Sequence, residues 1–326
     1  MLVKAFSVAA LWMAAALVAP AVAQETGPYP NKPIRVVLPF PAGGPGDTVA
    51  RKIGADLTTR LGVPLIMDNK VGGTGVVGQD IAMRSPPDGY TLVAISISGV
   101  LAYHFQNRQV DFTRDFAMLG QVYSQYGLIV VNPAVPSMAA IRNMKDLLNY
   151  ARANPGKLDY ASQGSGSIGH LVMERIKTLT GVNLVHVPYR GSGPAYNDLL
   201  AGHIPMMSSS LGALPYIRAG KLRAIAVGSP KRISSIPDVP TFVEEGINLV
   251  AGSWYGFAAP AGTPPEIVKR LSTELSITVA RPDVAEHLRN AGTEPEFVPG
   301  PEFAARANTD FREWGQVIRE LKIKPD

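Results

Sequence analysis

The stretch from Leu38 to Thr48 constrains the fold more than any other part of the chain. It follows Ile34-Arg35-Val36-Val37-Leu38, dense in the β-branched residues that favour strands. It precedes apolar positions 49, 50, 53 and 57, which fit helical spacing. Between them lie Phe40, Pro41, Ala42, Gly43, Gly44, Pro45, Gly46 and Asp47. Glycines let a main chain approach a ligand closely. A helix start adds unpaired N–H groups and the positive end of a dipole, so backbone alone can form an anion site. Asp47 or Thr48 is expected as the N-cap. Taken alone, the same residues also suit an ordinary tight turn between a strand and a helix.

The pattern recurs. Pro64 to Asn69 reads as a strand, and Val71-Gly72-Gly73-Thr74-Gly75-Val76-Val77-Gly78 opens a helix after it. Tyr90 to Ile95 reads as a third strand, ending in Ser96-Ile97-Ser98-Gly99. Three alternations in the first hundred residues predict a parallel sheet in an α/β domain. Ala117 to Asn132 is β-rich, broken at Gly127 and too long for one ordinary strand, so it reads as a crossing with Ser124-Gln125-Tyr126 near a hinge. A helix from Asn143 to Ala153 follows, and Asn154-Pro155-Gly156 stops it.

The alternation then begins again. Lys157 to Ala161, Asn183 to Pro188, Ile204 to Ser210 and Leu222 to Val227 read as strands. Ser162 to His170 and Tyr189 to Pro194 are the intervening loops, and Gly202 caps the helix Ala195 to Ala201. Ser253 to Pro260 returns to the first domain, and helices over 264–281, 281–291 and 302–321 close the chain. The division is therefore one lobe from 28–124 plus 252–326 and another from 125–251. Two α/β lobes joined by two crossings leave a cleft at the hinge, and ligands of open α/β sheets sit beyond the carboxyl ends of strands. The glycine- and serine-rich loops all lie at such ends.

Lys4, the apolar run Ala5 to Val18 and Ala21-Val22-Ala23 form a secretory leader over residues 1–23, cut before Gln24. The mature chain is expected to be exported to the periplasm as a soluble monomer. The sequence has no cysteine, which excludes disulfides, zinc-thiolate sites and thiol nucleophiles together. Its net charge of +5 is scattered without a basic run, so no nucleic-acid partner is expected. The five histidines, at 104, 170, 186, 203 and 287, show no metal spacing, and no metal is expected.

Gly73-Gly75-Gly78 and Gly164-Gly166-Gly169 both match the dinucleotide pattern G-x-G-x-x-G. That reading also needs an acidic residue about 20 positions on, for the ribose. Positions 93–98 and 184–189 hold none, so no such cofactor is expected. Two facing loops of N–H groups suit the clamping of one anionic ligand instead. Ser162, Ser165 and Ser167 bring hydroxyls that either cap a helix or point into the cleft. His170 could serve Ser167 as a general base, the basis of a secreted serine hydrolase as the alternative function. No G-x-S-x-G elbow and no nearby acid support it, and a bland role for His170 as a polar wall suits the sequence better. Asp198 is either a solvated helix carboxylate or an acceptor for a ligand group. Phe40 either covers the apolar part of a ligand or plugs its lobe.

These motifs resemble one family. Pro39-Phe40 with Gly43-Gly44 and Asp47, Asn69 with Gly72 to Gly78, and Pro87-Asp88-Gly89-Tyr90-Thr91-Leu92 are similar to the Bug family, the extracytoplasmic solute receptors of tripartite tricarboxylate transporters. Gly164-Ser165-Gly166-Ser167 with His170-Leu171, Val187-Pro188-Tyr189-Arg190-Gly191 and Pro237-Asp238-Val239-Pro240-Thr241 continue the likeness in the same order. The resemblance implies a two-lobed periplasmic binding protein of type II, each lobe a mostly parallel sheet flanked by helices. It implies capture of a small carboxylate, without a cofactor, for delivery to membrane transporter subunits. A receptor feeding a signalling partner needs the same cleft. The implied ligand residues are Phe40, Ala42, Gly43, Gly44, Asp47, Ser96, Ile97 and Ser98 in the first lobe. In the second they are Ser162, Gly164, Ser165, Ser167, His170, Tyr189 and Asp198. The expected ligand is a dicarboxylate or an aromatic carboxylate; Pro41, Pro45 and Ile97 depart from the family's small or hydroxyl-bearing residues, which points away from citrate or an amino acid and toward a flatter, partly apolar carboxylate.

Overall fold

Alternation along the strands sets the layers. In β1 (Ile34–Leu38), Ile34, Val36 and Leu38 join one buried cluster and Val37 another. Leu92 and Ala94 against Val93 and Ile95 repeat this in β3 (Thr91–Ser96). The computed structural model describes residues 28–320 and 322–323, so the expected leader lies outside the described residues. One face of this sheet is covered by α1 (Pro45–Leu61), α8 (Pro265–Ala280) and α9 (Pro282–Asn290). The other is covered by α2 (Val76–Met83), α3 (Ile97–Phe105) and α10 (Gly300–Glu320).

Among the described residues the strands form two sheets. The first has the order β11-β4-β10-β3-β1-β2, with β2 (Leu65–Asn69), β4 (Phe116–Tyr126), β10 (Gly252–Pro260) and β11 (Glu294–Pro299). The second has the order β7-β6-β8-β5-β9, with β5 (Leu128–Val131), β6 (Asp159–Ser162), β7 (Val185–Pro188), β8 (Met206–Ser209) and β9 (Arg223–Val227). Its helices include α4 (Met144–Ala153), α5 (Ile168–Thr180), α6 (Ser192–Ala201) and the short α7 (Leu214–Arg218).

The sheets are mixed rather than mostly parallel, and the crossings explain why. β1, β2 and β3 pair in parallel, whereas β10 pairs antiparallel with both β3 and β4. In the second lobe β6 pairs in parallel with β7 and β8, whereas β5 pairs antiparallel with β8 and β9. β5 and β10 are the strands that have just arrived from the opposite lobe, so they enter against the local direction. The edge strand β11 also runs antiparallel to β4.

Three further elements differ from the sequence reading. Residues 97–105 form a helix that the reading did not include, because it is apolar and buried on most sides and shows no amphipathic stripe. β11 carries Pro295 and Pro299, which an edge strand tolerates. α1 begins earlier than expected: Gly44 is the N-cap, Pro45 takes the first helical position, and Asp47 lies in the first turn.

The crossings meet at three main-chain bonds. Gly127 N–H donates to Ala251 O at 3.0 Å, Gly228 N–H to Gly127 O at 2.7 Å, and Ala251 N–H to Gly228 O at 2.8 Å. Beside them, Tyr126 plants its ring in the second lobe's core while its hydroxyl donates to Glu296 of β11 at 3.1 Å.

Candidate functional site

Helix starts from both lobes line one gap. A cavity of about 240 Å³ lies between Thr74, Ile97 and Ser98 of the first lobe and the loop Gln163 to Ile168 of the second. A neighbouring cavity of about 440 Å³ runs along the first lobe past Phe40, Gly46, Gly75, Ser96, Tyr123 and Tyr255. Thr74, Ile97 and Ser98 border both, so the two make a continuous cleft. Its walls include the starts of α1, α3 and α5.

Among the described residues no charged side chain borders either cavity. The first amides of a helix have no partner within it, and each start carries roughly half a positive charge. Gly46, Ser98 and Ile168 sit in such first turns. The cleft thus offers amides, hydroxyls and positive dipole ends without a formal charge, next to an aromatic wall. Phe40 packs on Tyr255 with ring centroids 5.5 Å apart, and Tyr255 stacks on Tyr123 at 5.2 Å.

The opening loop is braced from behind. Asp47 is 2% exposed, and its Oδ2 accepts from Gly43 N–H at 2.9 Å and from Arg51 Nε at 2.8 Å. Its Oδ1 accepts from Asn69 Nδ2 at 2.8 Å. The Arg51 hydrogen bond holds its carboxyl down at about 2, with help from Asn69 and Gly43 and against the cost of burial. Asp47 therefore faces the loop's interior, and Ala42, Gly43 and Gly44 form the exposed or half-buried bend it ties down. Phe40 borders the cleft and packs over Gly46 and Tyr255.

Ser96 caps α3, its Oγ accepting from Gly99 N–H at 3.4 Å, and it borders the cleft. Ser98 is exposed in the gap. Ile97 is buried at 1%, so its side chain serves the core while its main chain meets the cleft.

The second-lobe loop divides its hydroxyls. Ser165 and Ser167 border the cleft with Gly164 and Gly166. Ser167 also caps α5, its Oγ accepting from His170 N–H at 3.3 Å. Ser162 is fully buried and knots the loop from within, its Oγ lying 2.7 Å from His186 Nε2 and donating to Gly164 O at 3.1 Å. His170 stands behind the loop. Its Nδ1 accepts from Gly166 N–H at 3.1 Å, and its ring stacks on His186 at 3.8 Å. With Nδ1 accepting, the ring proton belongs on Nε2, which faces Glu174 Oε1 at 3.9 Å.

Tyr189 and Asp198 do not border the cleft cavities. They pair with each other, Tyr189 OH donating to Asp198 Oδ2 at 2.7 Å, while Tyr189 N–H donates to Ser162 O at 3.1 Å and so ties their loop to the cleft loop. Burial and that bond push the tyrosine up to about 12.

The sequence reading singled out neither Thr74, Gln163, Tyr123 nor Ser253, which all border the cleft. Thr74 carried the one usable signal. It is a lone side chain inside a glycine run, held at φ 55 in the left-handed region. Among the described residues no group of three or more His, Cys, Asp or Glu is placed to hold a metal ion. No helix among them is long and apolar enough to cross a membrane.

Known proteins share this architecture. The family model described as the tripartite tricarboxylate transporter family receptor matches residues 49–323. Protein BugT of Bordetella pertussis is 31% identical over 326 residues, covering 98% of each chain. Among solved structures, a TctC solute-binding protein from Polaromonas, without ligand, superposes with a TM-score of 0.82 at 28% identity, over 90% of this chain and 99% of that one. Rpa4515 of R. palustris, solved with adipate, superposes with a TM-score of 0.70 at 31% identity, over 91% and 100%.

Proposed function

The chain belongs to the tripartite tricarboxylate transporter receptor family, and from that premise we propose that it captures a small carboxylate in the interlobe cleft and hands it to membrane transporter subunits. The observation that carries this reading is the uncharged cleft between the starts of α1, α3 and α5. Helix-start amides select a carboxylate over a neutral solute, because their dipoles favour negative charge. The preferred ligand is a dicarboxylate or an aromatic carboxylate. One charged end meets the first-lobe starts near Gly46, Ser96 and Ser98, and the other end or edge meets Ser165 and Ser167. The apolar middle lies along Phe40 and Tyr255. The adipate of Rpa4515 has this chemistry.

In the proposed site Phe40, Gly46, Ser96, Ile97, Ser98, Gly164, Ser165 and Ser167 touch the ligand. Ala42, Gly43, Gly44, Asp47, Ser162 and His170 shape the loops behind them, while Tyr189 and Asp198, bonded to each other, support the second-lobe loop through Ser162. The ligand favours the closed arrangement of lobes 28–124 plus 252–326 and 125–251, which turn about the crossings. The protein works as a monomeric periplasmic receptor after loss of residues 1–23, by binding rather than by turnover and with no cofactor. Titration calorimetry with adipate and its neutral diamide tests the reading. Binding of the acid alone supports it, and equal binding of the diamide contradicts it.

A further inference from the structure

Behind the cleft wall lies an amide that packing alone does not explain. Gln79 of α2 is fully buried, and neither its Nε2 nor its Oε1 has a hydrogen-bond partner. Buried polar groups are almost always paired, and leaving one unpaired costs stability. The amide sits directly behind the turn that borders both cavities. A Cβ placed on Gly99 would lie 2.4 Å from Gln79 Nε2 and 3.7 Å from the Thr74 carbonyl oxygen. A Cβ on Gly75 would lie 3.7 Å from the same Nε2. Donor and acceptor thus flank one point without forming a bond.

The turn itself is strained. Gly72, Gly73, Thr74 and Gly75 hold φ of 142°, 54°, 55° and 108° in succession. Three glycines tolerate this, whereas Thr74 pays for its left-handed conformation. Gly75 N–H closes the turn on Gly72 O at 2.9 Å, Val77 N–H reaches the same carbonyl at 3.4 Å, and Val76 N–H bonds Gly73 O. Strain of this kind persists where the surroundings impose it, and it clusters at ligand clamps.

We propose that Gln79 is a positioning residue for ligand capture, and that the turn 72–75 has a second arrangement which its amide completes. In that arrangement Gly75 N–H leaves Gly72 O and turns to the ligand's carboxylate. Thr74 leaves the left-handed region, and its carbonyl accepts from Gln79 Nε2–H. The free protein carries an unpaired amide and a strained threonine; the liganded protein gives the amide's Nε2 a partner and relaxes the threonine. This rests on the carboxylate-binding reading above.

Gln79→Leu keeps the volume and removes the amide. In the free protein its melting temperature is expected to rise by about 2–4 °C, because two unpaired buried atoms disappear. Its affinity for adipate, read by calorimetry, is expected to fall about tenfold, the loss of one hydrogen bond. A role in packing alone moves stability and affinity together, so the opposed changes are diagnostic. An affinity within twofold of the unaltered protein overturns the proposal. A lower melting temperature overturns it independently, since the amide would then be paired already in the free state. Failure of the unaltered protein to bind any carboxylate counts instead against the functional reading, and the melting temperature still judges the turn.

Discussion

Gly228 N–H donates to the Gly127 carbonyl at 2.7 Å, main chain to main chain, where the two crossings between the lobes touch. No side chain intervenes, and one cannot. A Cβ on Gly228 would stand 2.2 Å from Ala251 O. The two linkers are therefore joined to each other through backbone alone.

Gly228→Ala is expected to destabilise the protein by on the order of 2 kcal/mol or more, because the backbone must shift to admit the methyl group. Gly127→Ala is the control, since its nearest neighbour would be 3.5 Å away. Urea unfolding separates the two. Equal stabilities would show that the joint is looser than this packing implies.

Asp47→Asn removes the charge that Arg51 and Gly43 grip. The unaltered carboxyl sits at about 2 in the folded protein, below its unfolded value near 4. Its contribution to stability is therefore present above about pH 4 and is lost as the pH falls toward about 2. The variant is expected to be less stable at neutral pH by about 1–3 kcal/mol and to lack that acid-limb loss. Parallel acid limbs in the two proteins would remove Asp47 as the loop's anchor.

Ser167→Ala deletes the cap of α5 and a hydroxyl on the cleft. Stability is expected to fall by about 1 kcal/mol, and adipate affinity by about 1 kcal/mol as well. Thermal unfolding and calorimetry read the two effects separately. An unchanged dissociation constant would leave this residue a cap and nothing more.

Phe40→Ala tests the apolar wall. The loss of affinity is expected to be larger for adipate than for malonate, because each methylene buried against the ring contributes about 0.8 kcal/mol. Equal losses for both acids would place the chain of the ligand away from Phe40.

Much of this layout was legible because strand ends and helix starts carry strong local chemistry. Gly127 breaks a β-rich run where the chain changes sheets, Ser167 caps α5, and Gly202 ends α6 in the left-handed conformation. What was not legible depends on partners distant in sequence. Asp47 looked like a cap or a ligand group, but Asn69 and Arg51 turn its carboxylate inward. Pro45, at the first helical position, was the better sign of where α1 begins. Tyr189 and Asp198 sit beside a glycine-rich loop in sequence, yet neither borders the two cavities, and the Tyr189 hydroxyl is taken up by the Asp198 carboxylate. Thr74 was hidden by the glycines around it, because a motif read for its glycines says little about the residue between them.

A crystal structure of the protein with a bound dicarboxylate would show directly whether helix-start amides hold the ligand. Carboxylate oxygens are expected about 3 Å from main-chain amides in the first turns of α1, α3 or α5, with the lobes closed around them. A ligand whose carboxylates rest on charged side chains, or which lies outside the cleft, would contradict this.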